Sequence, residues 1–143
     1  MLINKDNPND IYSTEIEIRY CEIDQMGIVH HSNYWNWFEI TRIKWLAQHG
    51  ISYQELENKG YFLPLIEANI HYFKPLRFGD RILVDSEPKR PRLSLINFDY
   101  KIHNQHNDLV TSASTSHALV GAHHRPIRFP KFLSDILPKL APN

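Results

Sequence analysis

The sequence predicts an α+β fold in which an antiparallel sheet wraps one long helix. Three observations predict it. From Tyr34 to His49 the chain has neither Gly nor Pro and is apolar around most of a helical circumference. After residue 60, segments rich in Ile, Leu, Val, Thr and Phe alternate with turn residues, as strands do. The element order is strand, long helix, short helix, then strands, which is an α+β order.

Residues 1–11 mix Asn, Asp, Lys and Pro and predict a loose lead-in. Residues 13–20 alternate, with Ile16, Ile18 and Tyr20 inward and Glu15, Glu17 and Arg19 outward, a half-buried strand. Asp24 and Gly27 break the pattern, so 21–32 reads as a loop. Ser32 and Asn33 are both good N-caps for the long helix, and Gly50 sits where a C-cap belongs. So broad an apolar surface predicts a helix buried on several sides. Ser52 and Glu55 form a capping-box pattern for a short helix that Gly60 ends. Strands are then predicted over 61–66, 68–74, 81–86, 93–103 and 109–121. Turns fall at Gly79-Asp80 and at 104–108, and one helical turn near 131–137.

A length of 143 residues suits a single domain. Lys plus Arg number 16 and Asp plus Glu number 16, so no basic excess marks a phosphate-backbone binder. Hydrophobic residues make up 42%, too many for a disordered chain. The longest apolar runs, such as Ile82-Leu83-Val84, are far below the roughly 18 residues of a membrane span. The polar start carries no apolar leader, and the one cysteine, Cys21, excludes an intrachain disulfide. A cytoplasmic protein is the expectation.

The informative stretch runs from Arg19 to Tyr34. It places a carboxylate, Asp24, in a loop after a strand. Seven residues on, the chain enters a helix whose first turn has free N–H groups and a positive dipole end. A carbonyl held there would be polarised, as in an oxyanion hole. Asp24 could attack it, or deprotonate an attacking water. His30, His31 and Tyr34 lie near the same helix mouth. Gly27 would let the backbone pass closely by a ligand. The plainer reading is that Asp24 is only a turn former.

This stretch resembles the 4-hydroxybenzoyl-CoA thioesterase family of hot-dog-fold proteins, and within it the acyl-CoA thioesterases associated with the Tol-Pal system. The residues that carry the resemblance are Glu22-Ile23-Asp24-Gln25-Met26-Gly27-Ile28-Val29-His30-His31-Ser32-Asn33-Tyr34, then Phe38-Glu39-Ile40-Thr41-Arg42. Glu22 departs mildly from the family's usual Asp. Ile70 to Asp80 resembles the family's strand, Pro and turn. The resemblance covers about residues 13–128.

It implies a thioester hydrolase with Asp24 as the catalytic carboxylate, a backbone N–H near His31 polarising the carbonyl, and His31 assisting. Substrate would lie against Gly27, Val29, His30 and Tyr34. The resemblance also implies a homodimer or homotetramer with the site between subunits, an acyl-CoA substrate and no cofactor. CoA phosphates need cations. Lys89, Arg90 and Arg92 form the densest basic cluster, and Arg125 with Arg128 a second, although a solvated loop explains either.

Glu39 competes with Asp24 as the acid, but it lies three residues before Arg42, and a helical ion pair explains it more simply. The nine histidines include no arrangement with metal-ligand spacing, so no metal is predicted. Cys21 reads as a small buried residue beside a strand, not a nucleophile. Trp35, Trp37 and Trp45 read as core or interface anchors, some of which could line an acyl pocket. Two other functions share these residues. A hot-dog hydratase or dehydratase would use a His and a carboxylate as an acid/base pair. A non-catalytic acyl-CoA-binding module would tolerate loss of Asp24.

Overall fold

A computed structural model describes residues 9–89, 91–135 and 137. Five antiparallel strands are present: β1 (Tyr12–Glu17), β2 (Leu65–Tyr72), β3 (Arg81–Pro88), β4 (Leu95–Asn104) and β5 (Leu109–Ala118). They lie in the order β1-β3-β4-β5-β2. The long helix α1 (Ser32–Gln48) packs on one face of the sheet, with α2 (Tyr53–Asn58) after it and a last turn, α3 (Lys131–Ser134). This is the sheet-on-helix arrangement that the sequence predicts.

The period of two sorts the sheet faces. Ile82 and Val84 of β3, Ile96, Phe98, Tyr100 and Ile102 of β4, and Val110 and Ala113 of β5 are buried against α1. From α1 they meet Tyr34, Trp37, Phe38, Trp45 and Leu46. Phe38 is fully buried and stacks on Tyr100 with ring centroids 4.4 Å apart. The other face of the sheet carries polar residues such as Asn97, Asp99 and Lys101 and is exposed.

Several expectations are corrected. The helix is buried on one side only: Ile40 and Ile43, on its outer side, are 41% and 39% exposed. It starts before Ser32 and Asn33 can cap it, because His31 is already in helical backbone geometry. The cap comes from His30, whose Nδ1 accepts the Ser32 N–H at 3.2 Å and whose carbonyl accepts the Asn33 N–H. Gly50, by contrast, does lie just past the helix end, with φ +82°. The first strand stops at Glu17, and Tyr20 turns outward in a short 3-10 turn, Tyr20–Glu22. That turn directs Glu22 inward and leaves Cys21 exposed, not buried.

The two strands expected over 61–66 and 68–74 are one, β2. Pro64 has no N–H to donate, so regular pairing begins after it, while Phe62 makes an isolated bridge to Val120. The last strand ends at Ala118, short of 121. The end of the lead-in is also held: Asp10 accepts the Trp45 indole N–H at 2.8 Å and pairs with His49.

Candidate active site

A groove of about 580 Å³ opens where the loop before α1 meets the end of β2. It is lined by Asp24, Val29, His31 and Tyr34 together with Tyr72 and Lys74. Residues far apart in sequence are joined there by backbone hydrogen bonds. Ile23 and Val29 form an antiparallel bridge, the Asp24 N–H donates to the Ile28 carbonyl, and the Gly27 N–H donates to the Asp24 carbonyl. The Val29 N–H donates to the Leu76 carbonyl and so fastens this small hairpin to the segment after β2.

Asp24 is therefore both a turn residue and a groove residue. Its Oδ1 accepts the Met26 N–H at 2.8 Å. Its Oδ2 accepts no hydrogen bond among the described residues. One oxygen is held by the turn and the other is not. Gly27 has φ +79°, and a Cβ built on it would meet nothing within 4 Å. The turn requires a left-handed residue at this position, which Gly supplies without strain.

The helix mouth has the predicted free donor. Ser32 and Asn33 give their N–H groups to His30, but the His31 N–H has no hydrogen-bonding partner among the described residues. His31, at the positive end of α1, lines the same groove as Asp24. The His31 ring is exposed and lies against His30, with centroids 4.1 Å apart. His30 itself does not line the groove; its Nδ1 is engaged by Ser32. Tyr34 is buried, which pushes its phenol up to about 12, so it stays protonated and offers a wall, not a base. Its ring meets Trp37 and Tyr72 at 4.9 and 5.0 Å.

The predicted basic cluster does not come to this groove. The Lys89 ammonium sits 3.1 Å from Glu87 and 3.5 Å from Asp99, on the polar face of the sheet. Arg92 is exposed in the turn between β3 and β4. Arg90 lies outside the described residues. Lys74 is the cation on the groove wall, 3.1 Å from Asp108. It escaped the sequence reading because it stands alone, with no basic neighbour to mark it.

The sequence reading also gave Glu22 no role. Glu22 is 2% exposed. One carboxylate oxygen accepts the Trp37 indole N–H at 2.9 Å and the other accepts the Arg19 N–H at 2.8 Å. Its carbonyl accepts both the His30 N–H and the Asn33 side-chain amide. Glu22 therefore clamps the loop that carries Asp24 to the first turns of α1. The acidic residue two before Asp24 was the available signal.

A second cavity, of about 300 Å³, lies farther along α1 and is lined by Trp35, Glu39, Arg42, Tyr53, Leu65 and His117, among others. The expected Glu39–Arg42 ion pair is absent among the described residues. Arg42 turns inward and donates to the Tyr100 hydroxyl at 3.0 Å. Tyr100 is joined to Thr115 at 2.7 Å, Thr115 to His117 Nε2 at 2.9 Å, and His117 Nδ1 to the Leu63 carbonyl at 3.3 Å. These bonds run in one direction: Nδ1 donates to the carbonyl, so Nε2 accepts from Thr115, which accepts from Tyr100. Burial keeps the Tyr100 and Tyr53 phenols above their usual range and protonated.

Burial and the Arg42 charge push the His117 imidazole down to about 4 from 6.5. Between these values the unfolded chain binds a proton that the folded chain refuses. Stability should therefore fall as pH drops from 6.5 to about 4, by up to about 3 kcal/mol. Urea unfolding of wild type and His117→Gln at stepped pH measures this. Parallel pH curves over that window would exclude a buried neutral imidazole.

Among the described residues, no group of three or more His, Cys, Asp or Glu side chains is placed to hold a metal ion. No helix of the described residues is long and apolar enough to cross a membrane.

Residues 18–137 match the family described as the thioesterase-like superfamily. The chain is 37% identical over 122 residues to YneP of Bacillus subtilis, named as a candidate acyl-CoA thioesterase, covering 85% of this chain and 88% of that protein. It is 29% identical to a 1,4-dihydroxy-2-naphthoyl-CoA hydrolase of Thermosynechococcus vestitus, over 83% of this chain and 82% of that one. A solved DHNA-CoA thioesterase of Staphylococcus aureus superposes with a TM-score of 0.81 at 30% identity, over 87% and 85% of the two chains.

Proposed function

The chain belongs to the thioesterase-like superfamily and has its hot-dog fold, and we propose that it hydrolyses an acyl-CoA thioester to the free acid and CoA. Asp24 acts as nucleophile or as general base toward water, and the α1 N-terminus polarises the thioester carbonyl. The observation that carries this reading is one groove lined both by Asp24, whose Oδ2 accepts no hydrogen bond among the described residues, and by His31, whose N–H at a helix start has no partner among them. A thioester carbonyl is already electrophilic, so a carboxylate and oriented dipoles suffice. YneP and the naphthoyl-CoA hydrolase, by their names, support CoA thioesters as the substrate class.

His31 supports the acyl-CoA branch suggested by the Tol-Pal resemblance. Its imidazole lines the groove and is free to hydrogen-bond the carbonyl region or the attacking water. His31→Ala keeps the backbone N–H, so it should lower kcat/KM by about tenfold or less, well short of the Asp24 effect. An unchanged rate would reduce His31 to its place in the helix turn.

A homodimer, or a tetramer built from one, completes the site. Strand β2 is hydrogen-bonded on one side only, to β5, and both its faces are exposed. Leu65 and Ile66 are 52% and 56% exposed, and Tyr72 and Phe73 border the groove. An open edge with this much apolar surface suits pairing with a second copy.

Thiol release across short-chain, long-chain and aromatic acyl-CoAs tests the reading. CoA release from at least one is expected. Water addition to an enoyl-CoA without thiol release would make the protein a hydratase, and tight acyl-CoA binding without turnover would make it a binding module.

A further inference from the structure

The Arg42 cavity has no role in the chemistry described so far, yet it is built for a polar ligand. The Arg42 guanidinium pairs with no carboxylate among the described residues. Its Nε–H is buried without a hydrogen-bond partner. The hydrogen-bond chain through Tyr100, Thr115 and His117 ends on the Leu63 carbonyl, and Arg42 also hydrogen-bonds the Tyr53 hydroxyl, so the remaining donors lie at the Arg42 and Tyr53 end. A partly buried cation with unused donors is costly unless something accepts from it. Trp35, Leu63 and Leu65 give the same cavity apolar walls.

Symmetry decides what could enter. The cavity lies beside Leu65, at the start of β2, and the catalytic groove lies beside Tyr72, at its end. Both border α1: Tyr34 lines the groove, and Trp35, Glu39 and Arg42 line the cavity. Antiparallel pairing of two β2 edges about their middle sets Leu65 opposite the partner's Tyr72. The Arg42 cavity of one copy then faces the Asp24 groove of the other.

We propose that Arg42 and Tyr53, with His117 fixing their hydrogen-bond chain, form a specificity subsite that each copy lends to its partner's active site. This subsite reads a neutral oxygen, a hydroxyl or carbonyl, on the acyl group. The inference rests on the acyl-CoA thioesterase reading and on pairing through β2. The donors require an acceptor on the ligand. Glu39, on the wall of the same cavity, disfavours a carboxylate there. A pocket whose polar groups need a partner discriminates strongly against the ligand that lacks one.

The probes are benzoyl-CoA against 3- and 4-hydroxybenzoyl-CoA, and hexanoyl-CoA against 6-hydroxyhexanoyl-CoA. In at least one pair the wild type should prefer the oxygenated member by about tenfold or more in kcat/KM. Arg42→Met should collapse that ratio toward one. Should Arg42→Met fail to fold, Tyr53→Phe must lower the same ratio, and Arg42→Lys should restore part of it. No preference in any pair, or a ratio that survives both substitutions, overturns the subsite.

Mixing Arg42→Met with Asp24→Asn chains then separates the two layers of the argument. A mixed dimer has one site with Asp24 from one chain and Arg42 from the other, so oxygen preference should return. Activity without returned preference would show that Arg42 acts within its own chain and overturns the shared subsite. No CoA release by the wild type from any of these thioesters would instead overturn the thioesterase reading.

Discussion

Asp24→Asn should leave the fold intact and lower kcat/KM by on the order of 10²-fold or more. The amide oxygen can still accept the Met26 N–H, so the turn that Asp24 closes is kept. What is lost is the charge on the free oxygen, which in the proposed reaction either attacks the thioester or takes a proton from water. The loss should appear in kcat and not mainly in KM, because the groove walls do not change. Thermal melting of the variant within a few degrees of wild type shows that the fold survives. A purified variant with near wild-type thiol release across the acyl-CoA panel would remove Asp24 from the chemistry.

Glu22→Ala should be the substitution in the loop that damages the fold most. It leaves the Trp37 indole N–H and the Arg19 N–H without acceptors in a site that is 2% exposed. Two hydrogen bonds to a buried carboxylate set a cost of about 3 kcal/mol. Activity should fall beyond what unfolding explains, since the clamp lies two residues from Asp24 and holds the loop to α1 through His30 and Asn33. Glu22→Gln keeps one acceptor and should lose less on both counts. Urea midpoints give the stability and single-turnover rates on the folded fraction give the activity. A Glu22→Ala midpoint equal to wild type would mean that Trp37 and Arg19 find other partners.

Together these variants separate chemistry from positioning. In the proposed reaction Asp24 touches the reacting atoms, and Glu22 acts through the loop. The first should change rate at constant stability, and the second should change both.

The same division shows what the chain reveals before it folds. Local signals were legible. The alternation in β4, the Gly-free run of α1 and the left-handed Gly50 after it all follow from short-range sterics and periodicity. The Asp24 to Tyr34 stretch was legible as a carboxylate before a helix mouth, and Asp24, Val29, His31 and Tyr34 do line one groove, while Gly27 and His30 do not.

What failed depended on partners distant in sequence. Cys21 is exposed because Glu22 must point inward to reach Trp37. Glu39 and Arg42 are spaced for an ion pair, yet Arg42 finds Tyr100 on β4 instead. Lys89 belongs to a basic run in sequence but lies between two carboxylates, one from β3 and one from β4. The one-sided burial of α1 could not be read from its composition, because Ile40 and Ile43 look like core residues until the sheet is seen to lie on one side.

By itself, then, the sequence determined the element types and the acid-before-helix motif, because backbone propensity and spacing act within a few residues. Only the tertiary structure decided which oxygen of Asp24 is free, which helix N–H lacks a partner, and that Arg42 turns to a cavity. Arg42 is set by Tyr100, which the sheet brings in from β4, and the loop that carries Asp24 and His31 is held in place by the Val29 bond to Leu76 and the Trp37 bond to Glu22.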